Sequence, residues 1–421
     1  MRHLFRNLAL ALIPIVAAGR LAAQEPPDSL TVRLRRAEQA IERLQAQLAE
    51  QSQSAVRSRS RNRVELSGLI LLNGFYNSGK TNNNDIPQFA DTLVPADTLG
   101  LPNANAGGTA RQTRLGLTVG DVHALGAVVT GTLQVDFLGG QQASVGGRTF
   151  PLARIRTASL RLDWAHVGLL LGQDALVIAP QNPVSFAGFA TPLFTSAGNL
   201  WFRVPQVRLT TETPGSAHFG VQAAALAPML PKAQGVFLTQ PDSAERSQRP
   251  SVEGRVYLAW GSDETSSEVG FGAHLGWIAT NGDTLLQSHA IAGDVRLAIG
   301  THLTLAGEVY TGQAVAGFGG GAIGQEFGIG NVPVRATGGW AQLDIRPSTS
   351  WEFGGGYGTD RPNAGDLPAG ARLRNVVYAG HLIWRPGGGL LFGTEWRRAE
   401  TTYDRGTLAV NHVNAYAGLS F

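Results

Sequence analysis

An alternation of apolar and polar side chains with a period of two residues runs from Val64 to the end of the 421-residue chain. Successive side chains of a β-strand point in opposite directions, so this pattern predicts strands with one apolar and one polar face. About sixteen such segments are separated by connections rich in Gly, Pro, Asn and Asp, in which long loops alternate with short turns. The predicted long loops are 77–109, 138–153, 174–205, 228–250, 281–287, 316–333, 360–371 and 401–406. Residues 64–421 are therefore predicted to form an all-β fold, a transmembrane antiparallel β-barrel of about 16 strands.

The last predicted strand extends this pattern to the C-terminus. Val413, Leu419 and the terminal Phe421 fall on the apolar face, while His412 and Asn414 fall on the polar face. In a transmembrane barrel the apolar face contacts lipid and the polar face lines the lumen. A terminal aromatic residue on such a strand resembles the signal that the bacterial barrel-assembly machinery recognises. We therefore predict that Phe421 is the assembly signal, with that machinery and outer-membrane lipid as partners.

The N-terminal region has the features of an export signal. Arg2 and Arg6 precede an apolar stretch, residues 8–16, that is too short to span a bilayer, and small residues follow it. Residues 1–23 are predicted to be a secretory signal peptide; the alternative is an N-terminal membrane anchor. The chain contains no Cys, so the sequence offers no site for lipoprotein acylation and no disulfide.

Residues 24–55 are predicted to form a periplasmic coiled-coil helix, because apolar residues recur at alternating steps of four and three. The seam consists of Leu30, Leu34, Ala37, Ile41, Leu44 and Leu48. A seam of this kind buries itself best against copies of itself, which predicts a homo-oligomer, either a dimer or a trimer. The alternative is a lone amphipathic helix lying on the barrel or the membrane. Residues 56–63 alternate Arg with Ser or Asn and are predicted to be a basic linker, either a solvated spacer or a contact with anionic lipid or the cell wall.

The overall charge argues against a nucleic-acid partner. The chain has 34 basic and 31 acidic side chains, and residues 1–23 hold three Arg and no acid, so the mature chain is close to neutral. The polar faces still carry many charges, which must point into the lumen because a charge on the lipid face costs about 2–4 kcal/mol at mid-bilayer. The candidate pore-lining residues are Arg114, Asp136, Arg161, Asp163, Arg208, Glu253, Arg255, Asp294, Arg296, Glu308, Asp344, Arg346, Glu395 and Arg397. They form either charged rows that select ions or Arg–acid pairs that stabilise the wall, and both interpretations stay open.

The connection at 179–206 is unusually apolar for a loop. Its large apolar side chains are Phe186, Phe189, Phe194, Trp201 and Phe202. Three arrangements would bury them: the loop folds into the barrel as a constriction, covers the outer rim, or packs on a neighbouring subunit.

The sequence shows no catalytic or metal-binding constellation, so no enzyme activity, cofactor or metal site is predicted. Residues 74–81 match the letters of a phosphate-binding loop, but an Asn-rich stretch and Pro87 follow where a helix would have to begin. His289 and His302 lie on different predicted strands and lack acidic ligands at a recognisable spacing. A hydrolase site inside the barrel, whose residues would meet only in space, is a further alternative.

Three stretches resemble the DcaP-like outer-membrane porins and, more distantly, the phosphate-selective porins: RQTRLGLTV at 111–119, GTLQVDFLGG at 131–140 and LRLDWAHVGLLLGQ at 160–173. With the signal peptide and coiled coil they cover about the first third of the chain, and the remainder is similar in architecture only. The resemblance implies a trimer of sixteen-stranded barrels that takes up small, often anionic organic solutes passively. It also implies that Arg114, Asp136 and Arg161 face the lumen.

Together these features predict a passive diffusion porin for small hydrophilic solutes, anions among them. The alternative from a different class is a structural barrel in the outer membrane that its coiled coil tethers to the cell wall. Deletion of residues 24–63 distinguishes the two, because a porin still conducts without them while a tether loses its envelope phenotype.

Overall fold

The computed structural model describes residues 55–57, 62–92, 103–139, 151–229, 241–261, 265–280 and 284–421. The predicted signal peptide, the coiled-coil seam and most of the basic linker lie outside the described residues. Among the residues that are described, no helix is both long enough and apolar enough to cross a membrane.

One antiparallel sheet of eighteen strands contains nearly all of the regular structure in these residues. The strands are β1 (Ala55–Arg57), β2 (Arg63–Asn77), β3 (Asn105–Thr109), β4 (Arg114–Ala124), β5 (Ala127–Asp136), β6 (Arg154–Asp163), β7 (Val167–Ala175), β8 (Arg203–Glu212), β9 (Ala217–Leu226), β10 (Ser251–Trp260), β11 (Ser267–Ala279), β12 (Leu285–Ile299), β13 (Leu303–Gln313), β14 (Arg335–Ile345), β15 (Trp351–Pro362), β16 (Arg374–Gly387), β17 (Leu390–Tyr403) and β18 (Gly406–Ser420). From β4 onward each strand pairs with the next, β2 pairs with both β3 and β4, and β18 pairs with β2, so the sheet closes.

The closed wall has sixteen strands, as predicted. β3 and β4 pair with successive parts of β2, residues 73–77 and 63–69, and together act as one interrupted strand of the wall. β1 pairs only with the first residues of β2 and adds no further strand to the wall. It lies at the predicted junction of coiled coil and linker. The terminal Phe421 continues the pairing of β18 by exchanging two backbone hydrogen bonds with Gly68, of 2.9 and 3.1 Å.

The two faces of the wall differ in polarity as the two-residue pattern predicts. In β10, Val252 and Val256 are exposed on the outer face, while Glu253 and Arg255 are buried on the inner face. The alternation follows from strand geometry, and the closed barrel leaves no unpaired edge that lipid would have to solvate. The chain is therefore a transmembrane barrel in which the charged side chains of β10 are kept away from lipid.

Outward aromatic side chains cluster at one end of the barrel. Trp351 stacks on Phe353 and on Trp384, whose ring lies 5.7 Å from that of Phe392. All four are exposed and lie beside the short turns at 346–350 and 388–389. Such a cluster is typical of the aromatic belt at a membrane–water interface.

Two connections are shorter than predicted. The link between β11 and β12 comprises only residues 280–284, and that between β17 and β18 only 404–405, where long loops were expected at 281–287 and 401–406. The strands instead extend into these regions, and in the second region Thr401 and Tyr403 on β17 form hydrogen bonds with the Ala90 backbone. Residues 74–81 begin within β2 and no helix follows them, which excludes the phosphate-loop interpretation.

Candidate pore constriction

Residues 176–202, which connect β7 to β8, lie inside the barrel. The segment leaves the wall at Ala175, and the backbone N–H groups of Val177 and Ile178 donate to the Glu253 carboxylate on β10, at 2.7 and 3.2 Å. Farther along, the backbone N–H of Gln181 donates to Glu308 on β13 at 2.7 Å. Both carboxylates are on the inner face of the wall.

The segment then crosses to the strands that close the barrel. The Val184 backbone exchanges two hydrogen bonds with the Gln342 side chain on β14, of 2.5 and 2.9 Å. Ser185 Oγ donates to Glu395 on β17 at 2.7 Å. The Asn73 side chain on β2 donates to the Phe186 carbonyl at 3.1 Å.

The segment completes its path at the strands that carry most of the Arg residues. Arg114 on β4 donates to the Phe189 carbonyl at 2.7 Å, and its guanidinium lies 3.7 Å from the centre of the Phe189 ring. Arg154 and Arg156 on β6 both donate to the Ala190 carbonyl, at 2.9 and 3.0 Å.

Residues 177–190 therefore follow the inner wall in strand order, from β10 through β13, β14, β17, β2 and β4 to β6. This path covers about three quarters of the circumference, and we name residues 177–190 the inner ring. Fourteen residues span at most about 48 Å when fully extended, which limits the radius of the ring backbone to about 10 Å. Of the three arrangements considered for this loop, the structure has the constriction inside the barrel.

Apolar packing explains why this loop leaves the solvent. Phe186 and Phe189 stack at 5.6 Å and pack with Val184 against a cluster on the wall that includes Leu71 and Tyr416. After the ring, residues 191–202 return along the wall, and Phe194 stacks on Trp340 at 5.9 Å.

The glycines of β15 make room for Phe194. A Cβ at Gly356 would lie 2.8 Å from the Phe194 ring, and one at Gly358 would lie 2.6 Å from it. These inward positions carry no side chain because the Phe194 ring occupies the space.

The candidate pore-lining charges fall into groups with different partners. Several hold the ring directly or through a neighbour: Arg114, Asp136, Glu253, Glu308, Glu395 and Arg397. Others pair along the wall: Arg208 with Asp174 at 2.6 Å, Arg255 with Asp294 at 2.6 Å and also with Glu268, Arg346 with Glu352 at 3.1 Å, and Arg161 with Asp163 at 2.8 Å. Among the described residues, Arg296 makes no ion pair within 4.0 Å, and Asp344 lies 3.5 Å from His381. The pairing interpretation thus describes most of these side chains, which stay candidates for the pore lining.

The charges around the ring are distributed unevenly. The wall from β4 to β8, which we name the basic arc, carries Arg114, Arg154, Arg156, Arg203 and Arg208 beside Asp136 and Asp174. The wall from β10 to β17, which we name the acidic arc, carries Glu253, Glu268, Asp294, Glu308, Asp344, Glu352, Asp360 and Glu395 beside Arg255, Arg296, Arg346, Arg385 and Arg397. Opposed arcs of this kind impose a transverse electric field on anything that passes between them.

Sequence reasoning missed Arg154, Arg156 and Arg203. The signal was present for the first two, since Arg154 and Arg156 flank the exposed Ile155 at strand spacing. The predicted strand began near Ala158, which left these residues in a loop. The neutral ring partners Asn73 and Gln342 carry no signal in the sequence, because their role depends on a segment more than one hundred residues away.

No protein-family model matches the chain, and no curated protein matches it. Solved structures do match. The crystal structure of the outer membrane channel DcaP of Acinetobacter baumannii has a TM-score of 0.67 and 17% identity, covering 87% of this chain and 100% of that one. The fold is that of an outer-membrane channel. The anion-selective porin from Comamonas acidovorans has a TM-score of 0.55 and 12% identity over 86% of this chain and 100% of its own. The trimer form of OmpT of Vibrio cholerae has a TM-score of 0.50 and 9% identity over 86% and 99%. The predicted resemblance to DcaP-like porins is confirmed at the level of the fold.

Proposed function

We propose that this chain is an outer-membrane porin through which small hydrophilic solutes diffuse passively. The observation that carries the proposal is the inner ring: a closed barrel with an apolar exterior holds a segment that follows about three quarters of its inner wall and narrows the lumen. A segment that lines the wall leaves the centre for solute, whereas one that crossed the diameter would divide it. The likeness in fold to the DcaP channel supports the same function.

Anions are the solutes that the basic arc suits best. Arg114 and Arg203 interact electrostatically with Arg154 and Arg156, and only Asp136 and Asp174 offset them. Guanidinium groups keep their charge and bind carboxylate or phosphate through paired N–H donors. The Comamonas acidovorans structure that shares this fold is described as an anion-selective porin.

The proposed orientation places the short turns and the C-terminus on the periplasmic side. Barrels of this class have short periplasmic turns and longer loops outside. β2 begins, and β18 ends, at the same end as the short turns 125–126 and 388–389. The predicted coiled-coil helix would then lie in the periplasm and hold three barrels together, a state also found in the trimer form of OmpT.

The test is to reconstitute the mature protein in a planar bilayer and record single channels under a salt gradient. We expect conductance steps in groups of three and a reversal potential on the anion-selective side. A protein that inserts as a folded barrel but never conducts would refute the open pore.

One observation favours a second candidate function, the cell-wall tether. Among residues 176–202, only Asn182 is exposed, so the segment is packed almost throughout. A barrel filled in this way could serve as a structural anchor. A mature protein that does not conduct, together with an envelope defect after deletion of residues 24–63, would support the tether instead.

A further inference from the structure

Three neighbouring strands of the acidic arc bring Asp344, Gly354 and His381 into one row. Asp344 on β14 pairs with Gly354 on β15, which pairs with His381 on β16. Glu352 precedes Gly354 by two residues, so it points to the same inner face. Each of the three ionisable side chains is buried.

The facing atoms of these side chains approach one another without forming hydrogen bonds. His381 Nε2 lies 3.5 Å from Asp344 Oδ1 and 3.8 Å from Glu352 Oε1, and all three atoms lie within 4.8 Å of one another. These atoms have no hydrogen-bond partner among the described residues. Buried polar atoms are normally satisfied, so three of them converging on one point indicate a missing partner between them.

Gly354 allows the close approach of His381 and Asp344 across β15. A Cβ at this position would lie 2.1 Å from His381 Cε1 and 2.3 Å from Asp344 Oδ1. Any other residue would therefore displace both of these side chains.

Two Arg side chains fix the orientation of Glu352. Arg346 Nε and Arg385 Nη1 donate to Glu352 Oε2 at 3.1 and 2.9 Å, which leaves Oε1 directed at His381. A carboxylate ligand of a metal ion is commonly held in this way by hydrogen bonds to its second oxygen.

We propose that Asp344, Glu352 and His381 bind a divalent transition-metal ion, with Zn²⁺ as the preferred ion. Ligand atoms at about 2.0–2.2 Å from a tetrahedral zinc lie about 3.4 Å from one another. The separations of 3.5 and 3.8 Å from His381 Nε2 therefore need to shrink by only a few tenths of an ångström, and the two carboxylate oxygens lie within 4.8 Å of each other. One imidazole and two carboxylates are ligands that zinc accepts, and three protein ligands leave a fourth position for water. Arg346 and Arg385 partly neutralise the carboxylates, which disfavours Mg²⁺ and Ca²⁺, ions that depend on oxygen ligands alone. The bound ion would link β14, β15 and β16 on the inner wall.

The test is calorimetric titration of the untagged mature trimer in detergent with zinc chloride, after removal of metal by a chelator. We expect one zinc ion per chain in wild type. The near-isosteric substitutions Glu352→Gln, Asp344→Asn and His381→Gln should each weaken binding by roughly tenfold or more, as loss of metal-site residues does. His274→Gln is the matched control, because His274 is also buried beside a carboxylate, Glu253 at 3.1 Å, but belongs to no three-ligand group among the residues that the structure describes.

Gly354→Ala provides a second, independent test. It keeps all three ligands, but its Cβ would push the His381 ring and the Asp344 carboxylate out of position, so we expect it to abolish zinc binding. Retention of the folded barrel is checked by the shift in gel mobility on heating. A wild-type protein that binds no stoichiometric zinc at micromolar concentrations overturns the proposal, and so does unchanged binding by folded Glu352→Gln or Gly354→Ala protein.

Discussion

The basic and acidic arcs hold the inner ring through opposite groups of its backbone. On the basic arc, Arg114, Arg154 and Arg156 donate to ring carbonyls. On the acidic arc, Glu253 and Glu308 accept from ring N–H groups. An irregular segment inside a barrel lacks the ladder of backbone hydrogen bonds that joins neighbouring strands. Each of its buried N–H and C=O groups therefore needs another hydrogen-bond partner. The sign of the wall charge therefore matches the backbone group that it satisfies.

This difference teaches that charge in the lumen has two roles at once. A guanidinium that would attract an anion also keeps a ring carbonyl in place. A carboxylate that would repel the same anion also keeps a ring N–H group in place. Substitutions on the two arcs should separate the effect of a wall charge on solutes from its effect on the ring. Some ring backbone groups have two wall partners and others have only one, so single substitutions on the two arcs differ in their cost.

The largest effect is expected when both Arg154 and Arg156 are replaced by Ala. The two guanidiniums donate to the same Asp136 carboxylate and to the same Ala190 carbonyl, so each single variant keeps one donor. The double variant leaves the Asp136 charge buried and unpaired, which costs about 3–5 kcal/mol. Urea unfolding in lipid vesicles should show a loss well above the sum of the two single losses.

Asp136→Asn in the double-variant background is the control for that interpretation. It removes the unpaired charge and should restore much of the lost stability. Additive single effects, or no rescue by Asn, would mean that Asp136 finds another partner and that the basic arc does not depend on this pair of Arg residues.

The next effect is expected from Glu253→Ala on the acidic arc. This change leaves the N–H groups of Val177 and Ile178 without their acceptor, at a cost of about 1–3 kcal/mol. The start of the ring should loosen, so single-channel conductance should increase along with the loss of stability. Asp163→Asn is the comparison variant, because the exposed Arg161–Asp163 pair touches no part of the ring and should contribute no more than about 1 kcal/mol.

A smaller effect on selectivity is expected from Arg114→Gln. The change removes a unit charge from the basic arc, together with the hydrogen bond to the Phe189 carbonyl, because the Gln amide is two bonds shorter than the guanidinium. A charge about 4 Å from an ion contributes about 1 kcal/mol in water, so anion preference should decrease by roughly two- to fivefold. The reversal potential under a salt gradient measures the change. Arg398→Gln, on the outer face and paired with Glu400, should leave the potential unaltered.

The barrel could be predicted from the sequence because the pattern that identifies it lies within each strand and does not depend on which strands pair. Most outward positions of a lipid-exposed strand avoid charge, so the period of two is visible in each strand alone. The connection at 404–405 was predicted too long because Thr401 and Tyr403 resemble loop residues until Ala90 is known to contact them.

The ring and the proposed metal site could not be predicted because they depend on strand register and on distant partners. The apolar side chains of the loop, Phe186 and Phe189 among them, indicated burial but not where. Asp344 and His381 are separated by 37 positions, and only the pairing of both with Gly354 brings them together. With the strand register known, the sequence would have shown an inward-facing glycine paired across the sheet with an ionisable residue on each side.

The smallest expected effect lies outside the wall, at Asp366 in the turn Ala364–Asp366 that precedes β16. Hydrogen bonds donated by Arg335 hold the pKa of Asp366 below its ordinary value of 3.8. A depressed pKa stabilises the fold above the unfolded pKa and loses that contribution as the pH falls through the folded pKa, so the turn should loosen only in strong acid. Asp366→Asn should increase hydrogen exchange in residues 363–373 at neutral pH by at most about fivefold, since the Arg335 side chain is exposed. Conductance and selectivity should stay as in wild type, because this pair lies at the loop end of β14 and makes no hydrogen bond with the ring. A change in either would mean that the outer loops control the constriction as well.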